Sequence, residues 1–145
     1  MKKWPFLFLI AIAAFSCEDD NVCGITEQSD EVFMAFFNYE TKELLDADFD
    51  SVAVFFQDQN VFYLDTAFAL PIDVQGSFTD YMFYTDSTDY DLRINYRSQI
   101  LIDNEECDPV FRISALEASS EELDSISIKV VELSKLIAPH VEIYF

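Results

Sequence analysis

The chain has 145 residues, 51% of them hydrophobic and 16% aromatic, with only two Gly and four Pro. That is too apolar for a disordered polypeptide, and the length suits one domain burying roughly two thirds of its unfolded surface. A formal charge of −20, from 28 acids against eight Lys and Arg, repels phosphate backbones and anionic lipid surfaces and argues against a nucleic-acid partner.

At the start, Lys2 and Lys3 precede a continuously apolar stretch, residues 6–15. This has the length of a signal-peptide core and is too short to cross a membrane as a stable span. Ala14, Phe15 and Ser16 then lead into Cys17, followed at once by Glu18, Asp19 and Asp20. Small residues before a Cys in this position are what lipoprotein signal peptidase requires. The expected product begins at Cys17 with a diacylglyceryl thioether and usually an acylated amine, and each buried methylene contributes roughly 0.8 kcal/mol to anchoring. Ordinary secretory cleavage near Ser16, leaving a free Cys17 thiol, is the alternative. Processing would leave six cations against 28 acids, a charge of −22. Glu18, Asp19 and Asp20 resemble the export signal that sends Bacteroidota-type lipoproteins to the outer face of the outer membrane. Cell-surface exposure is accordingly favoured slightly over the periplasmic face.

Residues 1–16 are thus read as a signal peptide, 17–30 as a lipidated Cys with an acidic tether, and 31–145 as one domain. With Cys17 given to lipid, Cys23 and Cys107 remain as an even pair in an oxidising compartment. A bridge between them would close a loop of about 85 residues, worth roughly 4 kcal/mol on chain-entropy grounds. A reactive thiol or a metal ligand is the competing reading, without a neighbouring His, Cys or CxxC to support it.

Beyond the tether the sequence reads as short strands: 32–39, 51–57, 60–65, 67–72, 78–85, 90–97 continuing through 100–102, 110–116, 126–133 and 140–145. Asp58-Gln59 and the run Asp86-Ser87-Thr88-Asp89 supply turn signals, and Pro71 marks an edge or strand end. Leu92, Ile94 and Tyr96 alternate with Asp91, Arg93, Asn95 and Arg97, which predicts one buried face and one wet face. Single helical turns are expected within 42–50, 119–123 and 133–138. Eight or nine strands with turns about every ten residues predict an all-β chain, an antiparallel β-sandwich or open barrel.

Several residue groups invite a chemical reading. Asp46, Asp48 and Asp50 have the spacing that opens a calcium loop, but its sixth position is Ser51 rather than Gly and its twelfth is Gln57 rather than Glu. Asp86, Asp89 and Asp91 crowd one turn and are weak calcium candidates; a solvated acidic loop is favoured, so no metal and no cofactor is expected. Paired carboxylates could serve a hydrolase, but with 28 acids any pair can be proposed. His140 is the single histidine, G-x-S-x-G is absent, and Gly24 and Gly76 cannot form Rossmann or P-loop patterns. No catalytic residue is assigned. Phe55-Phe56, Phe62-Tyr63 and residues 81–84 place bulky rings on neighbouring positions, which point to opposite faces of a strand. Such rings are expected in the core or against a partner, with sugar stacking as the second reading.

Taken together, Cys17 with Glu18, Asp19 and Asp20, the Val22-Cys23 pair before an aromatic strand, Glu106-Cys107-Asp108 before Val110-Phe111-Arg112-Ile113, and the closing His140-Val141-Glu142-Ile143-Tyr144-Phe145 resemble a family of small Bacteroidota lipoproteins of unknown function. The chain departs from that pattern at Asp108-Pro109, where a small residue is more usual. The resemblance implies a lipid anchor, a Cys pair and a β-rich fold, and carries over no reaction. The expectation is a non-enzymatic envelope protein held to the membrane through Cys17, with a protein as its partner. Carbohydrate binding is the alternative, and a carboxylate hydrolase stands behind both.

Overall fold

The computed structural model describes residues 29–46, 49–56, 60–62, 67–102, 107–123, 125–133 and 138–145. Among these residues nine strands form: β1 Glu31–Phe37, β2 Ser51–Phe55, β3 Asn60–Phe62, β4 Ala67–Pro71, β5 Phe78–Tyr84, β6 Asp89–Leu101, β7 Val110–Ser119, β8 Ser125–Ile128 and β9 Val141–Tyr144. They make two sheets, one of four strands in the order β4-β1-β9-β8 and one of five in the order β3-β2-β5-β6-β7. The chain is therefore an all-β sandwich. Pairing is antiparallel throughout except between β1 and β9, which run parallel from Met34 opposite Val141 to Phe37 opposite Tyr144.

Period-2 alternation decides which side chains meet between the sheets. On β6, Leu92, Ile94 and Tyr96 are buried, as their spacing predicts, and on β5 Thr79, Tyr81 and Phe83 point the same way. Val32, Met34 and Phe36 of β1, Leu70 of β4 and Val141 and Ile143 of β9 face them from the other sheet. Each large apolar side chain so buried contributes roughly 1.5–3 kcal/mol. Phe36 sits at the centre of a ring cluster, with centroids 4.7 Å from Phe49, 5.4 Å from Phe145 and 5.5 Å from both Phe68 and Phe83. Pro71 closes the edge strand β4, where its missing N–H leaves no gap in the ladder.

Buried hydroxyls fix the β4–β5 connection. The Tyr96 hydroxyl donates to the Asp73 carbonyl at 2.6 Å and lies 2.9 Å from Thr79 Oγ1, which accepts the Asp73 N–H at 3.0 Å. Tyr81 donates to the Pro71 carbonyl at 2.9 Å, and Ser98 donates to the Val74 carbonyl at 2.5 Å. Burial, reinforced by neighbouring Tyr96, pushes the Tyr81 hydroxyl pKa well up, so it stays a donor.

The structure departs from the sequence reading in four places. β6 is one unbroken strand of 13 residues, joining the expected 90–97 and 100–102, and β7 runs on to Ser119. This pairing survives an irregularity between Asn95 and Arg97 because Ala115, opposite it, adopts a left-handed φ of 54° and forms a bulge. The expected strand 126–133 ends at Ile128. Glu132 then bridges to Ser114 and the Leu133 N–H donates to the Ile113 carbonyl, so the chain crosses from one sheet to the other. Finally, 119–123 is a bend and not a helical turn, because Ser120 Oγ accepts the Glu122 and Leu123 N–H groups. Residues 38–44 likewise form a tight turn, where Asn38 Oδ1 accepts the Glu40 and Thr41 N–H groups and Lys42 takes φ 59°.

Candidate functional site

Cys17, Glu18, Asp19, Asp20 and Cys23 lie outside the described residues, as do Asp48, Asp58, Gln59 and Tyr63. Cys107 is described: it is almost buried beside the start of β7 and is disulfide-bonded. Among the described residues no helix is long and apolar enough to cross a membrane.

His140 is placed by backbone geometry. It precedes β9, is 2% exposed, and its Nδ1 accepts the Phe33 N–H at 2.9 Å while its own N–H donates to the Phe33 carbonyl at 2.7 Å. The ring thus extends the β1–β9 pairing by one position.

The acidic turn divides. Asp86 and Asp89 are exposed, whereas the Asp91 carboxylate accepts the Glu121 N–H at 2.9 Å and the Ser120 hydroxyl at 3.2 Å. A side-chain contact with Glu122, helped by the Glu121 N–H, holds Asp91 below the usual carboxylate range, and the same contact raises Glu122. Asp91 therefore caps the bend after β7. Among the described residues no three His, Cys, Asp or Glu side chains come together as a metal site.

Two concave regions remain. One is an open groove of about 680 Å³ on the outer face of the five-stranded sheet. Phe55, Asp80, Met82, Asp91, Arg93 and Glu121 line it. Asp80 and Arg93 are cross-strand partners on β5 and β6 and form a two-pronged ion pair, with Nε–Oδ1 at 2.6 Å and the second nitrogen 2.7 Å from Oδ2. The guanidinium also lies over the Phe78 ring, 4.5 Å from its centroid. Its hydrogen bonds to the Asp80 carboxylate raise the Arg93 pKa further, so this cation is permanent. Phe55 and Phe78 are 41% and 44% exposed, enough to offer apolar area to a partner.

The other is a cleft of about 310 Å³ at the end of the sandwich where the β1–β2 connection meets the β5–β6 turn. Phe49, Tyr90 and Phe145 form its apolar wall, with Asp50, Asp86 and Ser87 on the polar side. Tyr90 stands edge-on to Phe145 at 5.4 Å and 85°, and to Phe49 at 6.0 Å and 82°. Asp50 is anchored by its N–H, which donates to the Tyr84 carbonyl at 2.9 Å.

The expected aromatic surplus is largely absorbed by packing. Tyr81 and Phe83 are buried, Phe56 packs against the core, and Phe55 remains outward; the Phe62 side chain lies outside the described residues. Sequence spacing gave no signal for the cleft, since its wall comes from three distant segments. Comparison with protein-family models, with curated proteins and with solved structures finds no match.

Proposed function

We propose that this chain is a lipid-anchored protein of the bacterial outer membrane that works by binding rather than catalysis, presenting the outer face of its five-stranded sheet to a protein partner. In this reading Cys17 carries the lipid, Glu18, Asp19 and Asp20 direct it outward to the cell surface, and Cys23 closes on Cys107. The resemblance to small Bacteroidota lipoproteins of unknown function agrees with that arrangement.

The observation that carries the partner reading is the make-up of the groove face. Phe55, Phe78, Met82 and Arg93 lie on adjacent paired strands, and aromatic, Met and Arg side chains are the types enriched where proteins meet. Arg93 is already clamped by Asp80 and stacked on Phe78, so docking would cost little side-chain ordering. His140 supports the non-catalytic reading, because it is buried and held to the Phe33 backbone by both its N–H and its Nδ1. Carbohydrate binding draws on the same groove, where Phe55 lies with Asp80 and Asp91.

The test is crosslinking and pulldown from intact cells with wild type against a Phe55→Ser/Phe78→Ser variant that retains its fold. A specific partner lost in the variant is expected; capture unaffected by the substitutions sinks the proposal, and glycan-array binding lost in the variant favours the sugar. Labelling with a palmitate analogue and protease shaving test the anchor and its face. Intact mass with and without reduction and alkylation tests Cys23 with Cys107.

A further inference from the structure

We infer that His140 is a proton-operated latch: a proton gained by its imidazole releases Phe33 and loosens the junction of β1 and β9 as pH falls through the histidine range. The ring is the chain's single imidazole, is 2% exposed, and its Nδ1 accepts the Phe33 N–H at 2.9 Å. A backbone amide N–H can only donate, so this contact requires a bare lone pair on Nδ1. The ring is therefore neutral here, with its one proton on Nε2. The second proton of an imidazolium must go to Nδ1, where it would meet the Phe33 N–H head on, two donors with no acceptor. Hydrogen bond and proton exclude each other. The latch is closed above the ordinary histidine range near ~6.5 and weakens about tenfold per pH unit below it.

The position of the ring gives this exclusion leverage. His140 also donates its N–H to the Phe33 carbonyl at 2.7 Å, and its own carbonyl accepts the Lys129 N–H at 2.9 Å. Three segments thus meet on it: β1, the start of β9 and the residue after β8. The pair it heads is the parallel one, beginning at Met34 opposite Val141, with no hairpin to hold it. Phe33 stands near the start of β1, so an opened latch slackens the domain close to where the N-terminal stretch enters it. Neighbouring charges set the pH of opening and leave the exclusion itself untouched. On β9, Glu142 follows two positions later, held by Lys129 Nζ at 2.8 Å and by the Tyr144 hydroxyl at 2.5 Å. On the β1 side, Asp30 and Glu31 precede Phe33 and are exposed. β4 sets Ala69 opposite Phe33 and carries no charge. The carboxylates draw the proton in, and the Lys129 cation opposes it.

Amide hydrogen exchange, followed by NMR on the purified full-length protein, reads the latch directly because the Phe33 N–H is bonded to the ring. Corrected for the intrinsic pH dependence of exchange, protection of Phe33 is expected to fall about tenfold between about pH 7.5 and about pH 5.5. Ile94, in the middle of the other sheet, is expected to keep its protection, which separates the latch from general acid unfolding. In His140→Asn the side-chain Oδ1 takes the place of Nδ1 without titrating, and protection of Phe33 should then be flat with pH. Wild-type protection of Phe33 that stays constant over this range, falls in step with Ile94, or falls equally in His140→Asn overturns the proposal. Should His140→Asn not fold, the carbon resonances of the wild-type ring decide. They are expected to report a neutral imidazole wherever Phe33 is protected, and a ring that gains its proton while Phe33 stays protected overturns the latch as well.

Discussion

His140 and Phe33 exchange two hydrogen bonds across the sandwich's parallel strand pair, one from backbone N–H to carbonyl at 2.7 Å and one from the Phe33 N–H to the imidazole Nδ1 at 2.9 Å. Parallel pairs lack a hairpin to hold them together, and a side chain that stands in for a strand residue lengthens the ladder joining β1 to β9. His140→Ala removes the acceptor and leaves a part-buried N–H unpaired. We expect a loss of about 1–3 kcal/mol, measured as a lower urea midpoint with an unchanged slope. A midpoint within error of wild type would show that the ring is dispensable.

Tyr96 ties the β4–β5 connection to the body of the sheet. Tyr96→Phe keeps the ring but deprives the Asp73 carbonyl of its donor and Thr79 of a neighbour. The expected cost is about 1–2 kcal/mol, with faster amide exchange concentrated at residues 72–77. Uniform exchange along the chain would argue against the clamp.

At the bulge between β6 and β7, Ala115 holds φ 54°. A left-handed residue with a Cβ carries a penalty of roughly 1–2 kcal/mol, and glycine avoids it at about 0.5–1 kcal/mol of added chain entropy. Ala115→Gly is therefore a stabilising change of up to about 1 kcal/mol, seen as a higher melting temperature. Destabilisation would mean that the Ala115 methyl packs more usefully than its backbone is strained.

Glu142 supplies a pH dependence. Burial pushes its carboxyl up, but hydrogen bonds from Lys129 at 2.8 Å and from the Tyr144 hydroxyl at 2.5 Å outweigh it, so the folded pKa falls below the ordinary 4.5. The contribution of this group is therefore present above pH 4.5 and lost as pH drops through the lower folded value. Because Lys129 is exposed, it amounts to less than about 1 kcal/mol. Glu142→Gln should lower stability at pH 7 and converge with wild type near the acid limit. Parallel curves at every pH would remove the carboxylate from the account.

Much of the sandwich was legible because burial acts residue by residue. Leu92, Ile94 and Tyr96 announce an inward face whatever strand lies beside them, and Pro71 announces an edge. Pairing partners are not encoded locally. Nothing near Val141 reveals that it lies beside Met34 in parallel register, and the apolar run after Ile126 gives no hint that Lys129 leaves the strand so that Glu132 can reach Ser114. The Asp91 carboxylate looked like part of an acidic turn because Ser120 and Glu121, which it binds, stand some 30 positions away. The cleft was illegible for the same reason, its rings arriving from residues 49, 90 and 145.

The length of β6 sets a separation. Tyr90 stands near its start, at the cleft, and Leu101 at its far end, a distance of roughly 36 Å along twelve residues of extended chain. If Cys23 is the sulfur joined to Cys107, the tether is fastened on the side of the domain where β6 finishes and β7 begins. If Cys17 also carries the lipid, as proposed, the six residues from Cys17 to Cys23 reach at most roughly 20 Å, and that side would hug the lipid headgroups. The opposite pole, with its rings and carboxylates, would then stand clear of the membrane like a lamp on a short post.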